Sequence, residues 1–185
     1  SVPLEIELHF ELHQPVLSKH PFFLVFAATN RAMMQRVCGE ALKTTNLSAK
    51  DSVFAKADTA LSMYFVVSGI TAYSWPGEPL PESVHPGMWF CESVLWTPWE
   101  HVGSMQASTE VAFLSLEADK FHRILSLNFS ALLQPAAYAA AAVARLCECK
   151  RGDLTDLDSK IFDTGSMVKI AFDLDNFYDG QVRPS

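Results

Sequence analysis

Between Thr44 and Glu117 the apolar residues of this chain fall in short β-rich runs, and on either side they recur every three or four positions. This double switch restricts the fold most, because side chains alternate across a strand but line one face of a helix every third or fourth residue. Upstream, "PLEIELHFELHQPVL" and "FFLVFAATNRAMMQRVCGEAL" predict helices, which Pro15 and Pro21 divide into two or three short pieces. In the middle region "SVFAKAD", "LSMYFVVSG", "ITAYSW", "SMQAST" and "EVAFLSLE" predict strands. The segment "PGEPLPESVHPG", with four prolines and two glycines, predicts only a hairpin loop and a connection. Downstream, "ADKFHRILSL" and the alanine-rich stretch from Ala131 to Lys150 predict helices. The expected division is N-terminal helices over 1–43, a small antiparallel barrel or roll over 44–117, C-terminal helices over 118–150 and an acidic extended tail over 151–185. That is an α+β fold.

The chain has 185 residues, 49% of them hydrophobic and 19% charged, which suits one packed domain and not a disordered segment. A formal net charge of −7 with no cluster of Lys and Arg argues against a nucleic-acid face. The longest apolar run, within "PAAYAAAAVARLC", falls short of the roughly 20 residues needed to cross a bilayer, so no membrane span is expected in this chain. Of the four cysteines, two lie inside apolar segments, and Cys147 and Cys149 are too close for an ordinary bridge. That usage points to an intracellular, reducing compartment. The chain opens on Ser1, which reads as a processed protein or an excised fragment whose organellar targeting segment could have been removed.

The ordered series "DSVFAKAD", "MYFVVSG", "GMWFCE" and "TEVAFLSLEADKF" resembles the cyclic nucleotide-binding domain over about Phe22 to Ala144. The phrase "HPFF" at His20 to Phe23 is similar to the lead-in of the channel-type members of that family. The resemblance implies an eight-stranded antiparallel β-roll, jelly-roll-like, flanked by N-terminal helices and C-terminal hinge and lid helices, with a phosphate-binding cassette at 87–105. The family pattern Gly-x-x-Phe-Gly-Glu falls on Gly87, Phe90, Cys91 and Glu92, after Asp58, Met63, Tyr64, Phe65 and Gly69. In the family the glutamate takes a ribose hydroxyl and an arginine nine residues later takes the cyclic phosphate; these positions hold Glu92 and His101. Imidazole cannot make the bidentate fork of arginine, and Cys91 adds a Cβ where the family brings backbone close to its ligand. The ligand-contact set implied is Gly87, Phe90, Cys91, Glu92, Ser93, His101, Val102 and Ser104, read as a degenerate cassette.

Each of these residues also has a plainer reading. Glu92 is preferred as a cap of a short cassette helix over a ribose acceptor, and His101 as a loop histidine over a phosphate contact. Trp89, Trp96 and Trp99 suit core or interface better than purine stacking, and with Phe172 and Phe177 of the tail they are candidates for a partner contact. Cys147 and Cys149 lack the further ligands of a metal set, and "DLDNFYDG" lacks the terminal glutamate of a calcium loop. No nucleophile and base can be paired from the sequence, so neither an enzyme, nor a metal, nor a cofactor is expected. The leading expectation is a non-catalytic cyclic nucleotide-binding-like domain, an interaction or regulatory module without high-affinity nucleotide binding, contacting a protein partner or parent membrane protein. Its tail docks on a neighbour or back onto the pocket, with "KIAFDLDNF" (Lys169 to Phe177) the candidate occupant. The alternatives are a cAMP or cGMP sensor domain of a cation channel or kinase regulator, and a structural subunit of a larger complex, peripheral to its membrane.

Overall fold

The structure, a computed structural model, describes residues 2–127 and 129–173. Strands β1 (Leu42–Leu47), β2 (Ser52–Phe54), β3 (Ser62–Ser68), β4 (Thr71–Ser74), β5 (Glu82–Val84), β6 (Trp89–Phe90), β7 (Ser104–Ala107) and β8 (Val111–Glu117) form two antiparallel four-stranded sheets. Their orders are β1-β8-β3-β6 and β2-β7-β4-β5. The alternation in β3 and β8 sets the layering. Tyr64, Val66, Val111 and Phe113 meet Phe54, Tyr73, Val84 and Met105 of the second sheet in one apolar cluster. The intervening Met63, Phe65, Leu114 and Leu116 face the other way, into a cluster shared with the helices. The first sheet is thus buried on both faces, which is why "VAFLSLE" reads as an almost unbroken apolar run.

Helices α1 (Val2–Leu17), α2 (Pro21–Thr29) and α3 (Arg31–Arg36) precede the sheets and reach β1 through a π-helical turn at Val37–Ala41. His20 opens α2: its Nδ1 accepts from the Phe22 amide at 3.2 Å, and Pro21 occupies the first helical position, where its missing N–H costs nothing. Phe22, Phe23 and Phe26 are then buried against the sheet and the C-terminal helices. After β8 the chain enters α4 (Ala118–Ser126), α5 (Phe129–Glu148) and, beyond a looped segment, α6 (Thr164–Phe172). Among the described residues no helix is long and apolar enough to cross a membrane.

Three expectations need correcting. Pro15 lies inside α1 and does not end it, because in the last turn a missing N–H forfeits one bond while Ser18 still donates to the Gln14 carbonyl at 2.9 Å. The proline-rich segment holds a strand, β5, between its loops, an edge strand paired to β4 through Thr71–Val84 and Tyr73–Glu82. The tail is not simply extended: Asp163 caps α6, accepting from the Ser166 amide at 3.1 Å and its hydroxyl at 2.6 Å, and Met167 and Val168 are buried.

Candidate functional site

The stretch Gly87 to Met105 wraps around two aspartates of the looped segment that follows α5. β6 ends at Phe90; the next residue, Cys91, has a left-handed backbone (φ 61°, ψ 33°), and a 3-10 turn at Glu92–Leu95 follows at once. A non-glycine residue held there is strained, and such strain persists only where the surroundings enforce it. The conformation aims the fully buried Cys91 thiol at His101 and Asp156. It also frees the Cys91 amide to donate to the Asp156 carbonyl at 2.8 Å.

The Asp156 carboxylate is completely buried and accepts from five N–H and O–H groups. Its Oδ2 takes the Tyr73 hydroxyl at 2.7 Å and the amides of Val102 and Gly103, each at 2.9 Å. Its Oδ1 takes Trp99 Nε1 at 2.8 Å and lies 3.1 Å from His101 Nδ1. Burial alone would raise this carboxyl; His101, Trp99, the Gly103 amide and Tyr73 reverse the balance and hold it below the usual range. Asp158, also completely buried, accepts from the amides of Glu92 and Ser93 at 2.5 and 3.0 Å and from the Ser93 hydroxyl at 2.7 Å. It caps the 3-10 turn from outside. Burial and the adjacent Glu92 carboxylate push Asp158 well up, against the pull of those donors. Between the two acids Leu157 points into the cluster between the sheets, so the segment docks by strand-like alternation of acid and leucine.

Glu92 supports the same wall from behind. Its side chain is fully buried; Oε2 accepts from His20 Nε2 at 2.9 Å and Oε1 from the Tyr138 hydroxyl at 2.8 Å and Trp96 Nε1 at 3.2 Å. Because His20 Nδ1 already accepts from Phe22, the ring proton sits on Nε2 and is donated to Glu92. Burial works against the charged form, but His20, Tyr138 and Trp96 outweigh it and keep Glu92 below its ordinary value. The carboxylate therefore ties α2 and α5 to the 3-10 turn, and it is the Asp158 side chain that caps that turn.

The other singled-out residues take varied places. Gly87 has φ +91° and donates to the Val66 carbonyl, and Phe90 is buried, stacked on Tyr64 at 5.0 Å. Exposed Ser104 accepts from the Lys56 amide through its hydroxyl at 3.0 Å. His101 is buried with its ring stacked on Phe54 at 3.6 Å and 6°. Trp96 packs edge-on against Phe22 and Phe121, and Trp89 sits 4.6 Å from His20 with its buried Nε1 unbonded. Half-buried Phe172 lies 5.8 Å from Phe22; Phe177 lies outside the described residues. A groove of about 860 Å³ borders the site, lined in part by Trp96, Trp99, Val102, His122, Arg151 and Leu154.

Sequence reasoning missed Asp156, Asp158, Tyr73, His20 and Tyr138 as site residues. The segment seated against this stretch is Thr155 to Asp158; of the 169–177 stretch expected as an occupant, Lys169 to Phe172 belongs to α6 and 174–177 lies outside the described residues. The available signal was the acid, leucine, acid alternation in "TDLD". Chemically, converging backbone N–H groups make an anion site, and the chain's own carboxylates fill it. Burial first, then Asp156 and Asp158, push the Cys91 thiol well up. Sulfur and carboxylate both approach the same ring nitrogen, Nδ1, so the imidazole cannot pass a proton from one to the other. In comparisons with known proteins, no family model and no curated protein matches this sequence.

Proposed function

We propose that this chain is a non-catalytic cyclic nucleotide-binding-like domain, its eight strands forming the β-roll of that family, which serves as a regulatory or interaction module without high-affinity nucleotide binding. One observation carries the reading: the amides of Glu92, Ser93, Val102 and Gly103, in the stretch that resembles a phosphate-binding cassette, donate to Asp156 and Asp158 of the same chain. A cyclic phosphate would have to expel two fully buried carboxylates and leave their donors to be matched anew, a large cost for a ligand with no guanidinium to meet it. Among the described residues no buried side chain is a lysine or arginine. The role of an interaction module gains from α1, which turns Leu4, Leu8 and Leu12 to solvent at 70%, 57% and 60% exposure, an apolar stripe of the kind a protein partner or parent chain covers. Titration calorimetry with cAMP and cGMP at millimolar concentration is the test. No saturable heat is expected; binding tighter than about 10 µM, roughly −7 kcal/mol, would establish a nucleotide sensor instead.

A further inference from the structure

We propose that Cys91, His101 and Asp156 form a binding site for one divalent transition metal of the zinc class, which fastens the segment after α5 to the two sheets. The three donor atoms, Cys91 Sγ, His101 Nδ1 and Asp156 Oδ1, all lie within 4.8 Å of one another, and all three residues are buried. Their separations are 3.5 Å from sulfur to nitrogen, 3.1 Å from nitrogen to oxygen and 4.0 Å from sulfur to oxygen. A tetrahedral zinc with its usual bond lengths sets these edges at about 3.6, 3.3 and 3.5 Å, so shifts of a few tenths of an ångström suffice. In the metal-free chain, with Nδ1 donating to Asp156, hydrogen bonding serves His101 and Asp156 but leaves the Cys91 thiol without a close partner.

The surroundings are those of a prepared site. Phe54 fixes the imidazole plane by stacking, Trp99 Nε1 occupies the second lone pair of Oδ1, and Tyr73, Val102 and Gly103 satisfy Oδ2, which leaves Oδ1 oriented. Charge also balances: a divalent cation, a thiolate, a carboxylate and a neutral imidazole sum to zero, the condition for burial. Binding displaces the thiol proton to solvent with no change of oxidation state. The strained backbone of Cys91 then has a purpose, since a left-handed residue there is what places sulfur beside the other two ligands. Three protein ligands leave a fourth position for a small donor such as water. The inference rests on these side chains alone and stands whether or not the pocket once held a nucleotide.

The test uses the full chain with Cys147→Ser and Cys149→Ser, stripped with a chelator, reduced, and titrated with cobalt(II). One equivalent should bind with thiolate-to-cobalt charge-transfer absorption and be displaced by zinc. The absorption should vanish in Cys91→Ser, and affinity should fall at least about tenfold in His101→Gln. Should Cys91→Ser not fold by circular dichroism, Cys38→Ala decides, since Cys38 and Cys91 are the only thiols remaining. A band retained in Cys38→Ala assigns the metal to Cys91. Absence of the band from the parent protein, its survival in folded Cys91→Ser, or its loss in Cys38→Ala would overturn the proposal.

Discussion

Asp156 shows how much one acid can organise once it leaves water. An aspartate in an acidic segment ordinarily marks a solvated surface, yet this one is buried and its carboxylate takes five N–H and O–H donors from β4 and the loop before β7. Its stability contribution comes from those donors, because a buried N–H without an acceptor is costly. Asp156→Ala is expected to lower unfolding free energy by about 3 to 5 kcal/mol in urea denaturation, the range for breaking a buried charged network. Asp163→Ala, at the exposed cap of α6, should cost clearly less; equal losses would mean that the five bonds are not formed. From the sequence, Glu92 and His101 could be singled out because the resemblance to a phosphate-binding cassette places its glutamate and arginine positions on them. Their partners could not, since His20, Tyr138 and Asp156 come from distant elements and only the fold brings them within reach.

At the scale of elements, periodicity found what periodicity encodes. β3, β7, β8, α2 and α4 coincide with runs whose spacing is plain, whereas β5 is three residues between prolines and turn residues, too short for alternation to register. α6 was hidden because its helical signal is a cap, Asp163 with Ser166 three residues on, and not a long apolar stripe. Gly69, between β3 and β4, is the element boundary that tolerates least. Its φ is +82°, and a Cβ there would lie 2.1 Å from the Glu110 carbonyl oxygen and 2.6 Å from a Val111 methyl. Gly69→Ala should cost about 2 kcal/mol or more from the left-handed backbone and the collision, lowering the melting temperature by roughly 4 to 8 °C. A melting temperature within a degree of the parent would mean that this turn is built differently.

Across the whole molecule the layers explain one another: helices cover one face of the first sheet, the second sheet covers the other, and the segment after α5 closes against the 87–105 stretch before α6 returns to α2 and α5. The order of helical and strand regions was legible because it follows local period. The closure was not, since it joins residues 53 to 83 positions apart through single polar contacts. The central claim is that Asp156 and Asp158 hold the amides of the 87–105 stretch in the resting state, and amide hydrogen exchange followed by NMR tests it most directly. Glu92, Ser93, Val102 and Gly103 lie outside the strand ladders, so only the aspartates protect them. Their protection should come within about tenfold of the β3 and β8 amides and collapse for all four in Asp156→Ala with Asp158→Ala. Exchange of these amides at the rate of open loops in the unmodified chain would contradict the account.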